Sequence, residues 1–303
     1  MAGACGDGGD ADAADGGGVD DGPLAADSDP TPVATDDDCI TDGSAGDHVF
    51  SCDGVEFNVV VDAACLETSC GVIVDVHGMT MTGPQMRLNT ELDQLGPAQG
   101  YIVVHPNAPT QSPLPSWSAG DYPAVRDFID RVLDVYDGDA TRVHVTGFSQ
   151  GGSMTWWFIC NHPELLASAA PAAALGGCGD GAAMPELPIL YMNGKQDPGQ
   201  DVDQAGMMMQ GLADDFGLQG PEVVGGETDL WERTRWGQGD SELSFLWHDF
   251  TVATPSGGHC IPGGTDTEGT GTLAPFNRTT CEDESELHWG QVALAWFVDH
   301  PQR

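Results

Sequence analysis

One stretch limits the fold of this chain more than any other. Residues 142–146 alternate polar and apolar side chains as a strand does, Gly147-Phe148-Ser149-Gln150-Gly151 follows, and a helical stretch runs to about Asn161. Glycine at both ends lets the backbone turn sharply from strand into helix, and Gly152 keeps that helix close. A strand entering a helix through so tight a turn belongs in a sheet with helices packed on it. Ser149 is then lifted from the carboxyl end of the strand, where such sheets bind ligands.

The flanking sequence agrees. Val55–Val61 and Gly71–Val76 read as strands, as does 101–105, each bounded by Gly or Pro. Val125, Phe128, Ile129, Val132, Leu133 and Tyr136 recur at helical spacing, with Arg126, Asp127, Asp130 and Asp134 outside the stripe. Strands are predicted near 168–173, 188–193 and 242–252, and helices over 202–216 and 284–300. The alternation predicts an α/β fold, a mostly parallel central sheet with helices on both faces. Trp156 and Trp157, on the helix after Ser149, read as core rather than as a sugar platform.

Charge narrows the function. Among 303 residues, 48 are Asp or Glu and 9 are Lys or Arg, a net charge of −39, and Lys195 is the sole lysine. Phosphate contacts need clustered Lys and Arg, so nucleic acid is excluded as a partner, and a neutral or weakly charged substrate is expected. With 40% hydrophobic residues the chain still has a sizeable core to bury. Residues 1–38 hold eleven Asp and no Lys, Arg or aromatic, and read as a disordered acidic Gly/Asp/Ala tether. Residues 39–303 form the folded domain, for which a monomer is expected.

No run of about 18 apolar residues is present, nor is the basic and apolar pattern of a signal peptide. The nine cysteines contain no CxxC pair, which argues against a zinc ribbon. Setting Cys5 aside leaves eight, with about a hundred connectivities available. Neighbours along the chain suggest Cys39–Cys52, Cys65–Cys70, Cys160–Cys178 and Cys260–Cys281. Such bridges persist in oxidising compartments, so a secreted or cell-surface protein is expected. Ala2-Gly3-Ala4-Cys5 resembles a bacterial lipoprotein cleavage site, which would make Cys5 a lipid anchor. Asn277-Arg278-Thr279 matches a glycosylation sequon.

Ser149 is the predicted nucleophile, and a serine hydroxyl needs a base oriented by a carboxylate. Downstream histidines are His162, His248, His259, His288 and His300. Only His259 lies in a glycine-flanked loop after a strand, and it is the predicted base. His162 falls at a helix end, His248 in a strand, and His288 and His300 on the last helix. For the acid, Asp197 follows the strand over 188–193. Asp201 and Asp203 compete but fall where an Asp offsets a helix dipole. Gln150 supplies one backbone N–H to an oxyanion, and the loop His77-Gly78-Met79-Thr80 supplies the other, assigned to Met79 with Thr80 as the alternative. His77 is expected to fix that loop through its ring nitrogens.

Together His77-Gly78, Trp117, Asp121, residues 125–129, residues 142–154, residues 194–198 and residues 257–263 resemble the polyhydroxybutyrate depolymerase and feruloyl esterase-like branch of the α/β-hydrolases, over about residues 50–300. The resemblance implies a secreted serine esterase without cofactor or metal, acting on polyester or on acyl groups decorating plant polysaccharide. By position it makes Ser149 the nucleophile, Asp197 the acid and His259 the base. Trp117 would line the acyl pocket, with His77 beside it. The chain departs from that pattern at Ile261, where the family often has Trp, and at Asn193-Gly194, where it usually has His-Gly. Two other classes remain, a serine peptidase of the same fold and a non-catalytic, surface-anchored binding protein.

Overall fold

The computed structural model describes residues 39–109, 114–179, 182–227, 229–253, 255–266, 278–282 and 286–302. The tether over 1–38 with Cys5, and Asn277 of the sequon, lie outside the described residues. Ten strands make one sheet. In chain order they are β1 (Gly46–Cys52), β2 (Val55–Val61), β3 (Gly71–Val76), β4 (Tyr101–Asn107), β5 (Val143–Phe148), β6 (Ser168–Ala172), β7 (Ile189–Gly194), β8 (Glu222–Glu227), β9 (Trp231–Trp236) and β10 (Leu243–His248). Their spatial order is β1-β2-β4-β3-β5-β6-β7-β10-β9-β8.

The six strands from β4 to β10 pair in parallel, and β1–β2 and β9–β8 extend the two edges in antiparallel sense. The sheet is therefore mixed, parallel only in its centre. The predicted pattern included β2 but missed β1, β8 and β9. Asp53-Gly54, both at positive φ (50° and 81°), closes the β1–β2 hairpin as a two-residue turn. β8 reads Glu-Val-Val-Gly-Gly-Glu and is exposed along most of its length, so it has no apolar face to announce it. It forms because β9 offers it a row of backbone partners.

Helices cover both faces. They are α1 (Gly83–Thr90), α2 (Leu92–Leu95), α3 (Tyr122–Val135), α4 (Gln150–Asn161), α5 (Val202–Asp215) and α6 (Trp289–Asp299). Strand alternation divides the core. Val72, Val74 and Val76 of β3 join Phe128 and Ile129 of α3, Phe158 of α4 and Met209 of α5 on one face. Ile73 joins Met86 of α1, Leu92 of α2 and Trp296 and Phe297 of α6 on the other. The predicted stripe of α3 is buried at Val125, Phe128, Ile129 and Val132, which sets this helix against the sheet. α6 begins later than predicted because His288 caps it, its ring accepting the Gln291 N–H. All four expected disulfides are formed. Among the described residues no helix is long and apolar enough to cross a membrane.

Candidate active site

Ser149 lies between β5 and α4 with φ 56° and ψ −114°, angles that a non-glycine residue keeps only where its surroundings impose them. The surroundings here are backbone. A Cβ on Gly147 would stand 2.5 Å from the Gly151 carbonyl, and one on Gly151 would stand 2.0 Å from the Val76 oxygen. The Ser149 N–H donates to the Ala172 carbonyl at 2.9 Å. β3, β5, β6 and the first turn of α4 thus meet without intervening side chains, and Ser149 is left half-exposed at the carboxyl end of the sheet.

Asp197 follows the end of β7, with its carboxylate wholly buried. Its Oδ2 accepts the His259 Nδ1–H at 2.6 Å, and its Oδ1 accepts the N–H groups of Gly199 (2.8 Å) and Gln200 (3.0 Å). Those three donors satisfy lone pairs that burial would otherwise leave unpaired. The competing carboxylates are engaged elsewhere. Asp201 caps α5, accepting from Asp203 and Gln204, and Asp203 is exposed in its first turn.

His259 sits in a loop tied to the acid loop by the Gly258 N–H, which donates to the Gln196 carbonyl (2.9 Å). The Cys260–Cys281 disulfide holds its other side. Its ring packs 4.6 Å from the ring of Phe148, the residue before Ser149. With Nδ1 on Asp197, Nε2 is the nitrogen left to serve Ser149. No hydrogen bond joins Ser149 Oγ to His259 in this structure; such contacts are commonly longer without substrate. The other histidines have different work. His162 ends α4 beside Glu164, His288 bonds Glu91, and His300 bonds the Trp296 carbonyl beside Glu242. His248 is buried at the end of β10, where burial pushes its pKa down to about 4.

Around this centre no known family profile matches the chain. Among curated proteins it is 30% identical over 128 residues to feruloyl esterase B of Neurospora crassa, which covers 39% of this chain and 44% of that protein. It is 30% identical over 123 residues to acetylxylan esterase A of Emericella nidulans, 37% of this chain and 40% of that one. It is 26% identical over 148 residues to a bifunctional acetylxylan esterase/xylanase of Neocallimastix patriciarum, 48% of this chain and 22% of that one. The chain thus spans less than half the length of these relatives. The solved acetyl xylan esterase from Aspergillus awamori superposes with a TM-score of 0.53 at 19% identity, covering 64% of this chain and 87% of that one. The chain has an α/β-hydrolase fold, and its sequence is similar to feruloyl and acetylxylan esterases.

In this fold the loop after β3 faces the start of α4. The Gln150 N–H is the first of α4 and has no partner within the helix. Thr80 donates its N–H to the Pro115 carbonyl (2.8 Å), so of the two predicted donors only Met79, half-exposed, keeps its N–H open. His77 is fully buried. Its Nε2 accepts the Ala108 N–H (3.0 Å), so Nδ1 carries the proton and donates to the Gly78 carbonyl (2.7 Å). Burial pushes the His77 pKa down to about 4, so the ring is neutral at pH 7.

A brace that the sequence did not disclose joins these two loops. The Trp117 indole donates to the His77 carbonyl (2.9 Å), the Trp117 backbone N–H donates to Gln150 Oε1 (3.0 Å), and Gln150 Nε2 donates to Ser116 Oγ (3.1 Å). Trp117 is buried against the His77 ring. The only signal was a long amide side chain inside the Gly147–Gly151 turn. Both departures from the family pattern have structural reasons. Buried Asn193 donates to the Gln200 carbonyl (3.1 Å) and so holds the acid loop, and Ile261 is a core residue with no exposed surface. Among the described residues the one cluster with metal-ligand chemistry is His248, Cys260 and Cys281, and the two sulfurs are joined to each other.

Proposed function

We propose that this protein is an extracellular serine carboxylic-ester hydrolase acting, through an acyl-enzyme, on acetyl or feruloyl esters of a polysaccharide. The Asp197–His259 hydrogen bond beside the strained Ser149 turn carries the reading. The esterase names of the relatives and the acetyl xylan esterase fold support the substrate class. Four disulfides support an oxidising compartment.

In the proposed cycle each residue has one role. Asp197 fixes the His259 tautomer with Nδ1–H toward itself, so Nε2 takes the Ser149 proton as Oγ attacks the ester carbonyl. The oxyanion forms at the N–H groups of Gln150 and Met79, which need no reorganisation to receive it. His259 returns the proton to the departing alcohol, then activates the water that releases the acid. No step needs a metal or cofactor.

The test is hydrolysis of p-nitrophenyl acetate, methyl ferulate, acetylated xylan and polyhydroxybutyrate by wild type and Ser149→Ala. Turnover of the first three that vanishes in the variant supports the reading. Turnover of polyhydroxybutyrate in preference to xylan would move the substrate to polyester. Equal rates in both proteins would remove the esterase altogether.

A further inference from the structure

Helix α4 and the loop after β6 leave an open cleft of about 300 Å³ between them. It begins one helical turn from Ser149, at Ser153, whose N–H donates to the Ser149 carbonyl (2.9 Å). Trp156, Trp157, Asn161, Leu175, Gly176 and Gly177 are among the residues that line the rest. Both walls are held in place. The Trp156 indole donates to the Ala174 carbonyl (2.7 Å), and the Cys160–Cys178 disulfide joins the helix to the loop. Trp156 is accordingly core, as expected, but Trp157 remains half-exposed in the cleft, edge-on to Tyr122 and His162.

The cleft shares one wall residue, Leu175, with a second cavity on the acid side of the site. Leu175 also borders the cavity over Asp197, Gly199 and Gln200, and its N–H donates to Gln200 Oε1 (2.9 Å). Among the described residues no side chain that lines the Trp157 cleft is charged, in a protein of net charge −39. Those walls suit a neutral ligand. A half-exposed indole with a hydroxyl and an amide on the rim suits a ring that has one apolar face and polar edges. The open form suits a chain that continues past the ester, whereas an acyl group ends where it is held.

We propose that this cleft is a subsite for a neutral pyranose ring of the polysaccharide backbone, stacked on Trp157 with Ser153 and Asn161 meeting its hydroxyls. The proposal rests on the polysaccharide-ester reading and names where the sugar chain lies.

The probes are unesterified xylo-oligosaccharide and acetylated xylan, with p-nitrophenyl acetate as the small ester that does not reach the cleft. Two variants are compared, Trp157→Leu, which removes the platform, and Gly177→Leu, which fills the cleft from a position where a Cβ meets nothing within 4 Å. Each is expected to raise KM for acetylated xylan about tenfold and to leave kcat/KM for p-nitrophenyl acetate within about twofold. Xylo-oligosaccharide should quench the tryptophan fluorescence of wild type and not that of Trp157→Leu. Unchanged xylan KM in Gly177→Leu, or no oligosaccharide binding to wild type, overturns the subsite. Neither result touches the esterase reading, which falls only if Ser149→Ala keeps its p-nitrophenyl acetate activity.

Discussion

The Gln150 side chain accepts the backbone N–H of Trp117 at 3.0 Å, and through it the two proposed oxyanion donors are held at a fixed separation. Gln150 then has two separate duties, its own N–H as a proposed oxyanion donor and its amide as a brace on the opposite loop. Gln150→Ala keeps the first and loses the second. Its kcat on p-nitrophenyl acetate should fall about tenfold to a hundredfold with KM nearly constant, somewhat less than the loss of a whole oxyanion donor. Trp117→Phe, which removes the indole donor to His77, should do the same. The double variant should be little worse than either, because both break one brace. Additive losses would show that the two residues act separately.

Asp197→Asn tests the tautomer argument. The amide oxygen can still accept from Gly199 and Gln200, but its NH₂ cannot accept the His259 Nδ1–H. The ring then turns its proton toward Ser149, and kcat should fall by on the order of 10⁴ with little change in Tm. A loss below about tenfold, with folding intact, would argue that another carboxylate orients His259.

Three buried histidines should weaken the fold in acid. Burial lowers the pKa of His77 to about 4, of His144 to about 3 and of His248 to about 4. In the unfolded chain each takes a proton near its ordinary value of 6.5, so below that pH the unfolded state binds more protons than the folded one. Stability should be unaffected by these groups above pH 6.5 and fall as pH drops toward 4, by on the order of 3 kcal/mol for each of His77 and His248. Urea midpoints between pH 7 and 4.5 check this, in about 1 M salt to screen repulsion among the surface carboxylates. A flat profile would sink it.

The Cys260–Cys281 bridge adjoins His259 and closes a loop with a sequence separation of 21. Selective removal by Cys260→Ala with Cys281→Ala should lower ester turnover while the sheet persists by circular dichroism, because the loop holding the base loses its tether. The chain-entropy cost is about 3 kcal/mol. Full activity in the double variant would show that Asp197 and the Gly258–Gln196 backbone bond suffice to position His259.

Much of this protein was settled by short-range sequence. The strand, the Gly147–Gly151 turn and the helix after it follow from local period and from glycine's angles. The same local logic put Asp197 and His259 in loops at strand ends, and it paired cysteines that are neighbours in the chain. The rest required partners far apart in sequence. His259 reaches Asp197 across 62 residues, Trp117 reaches Gln150 across 33, and His77 reaches Ala108 across 31. Which backbone N–H stays open, Met79 rather than Thr80, depended on where the Pro115 carbonyl came to rest. Which tryptophan is held in the core, Trp156 rather than the half-exposed Trp157, depended on the Ala174 carbonyl. The exposed β8 became a strand only because β9 lay beside it. Periodicity records which face of an element is apolar, whereas a hydrogen-bond partner is chosen by distances that exist only once the sheet has assembled.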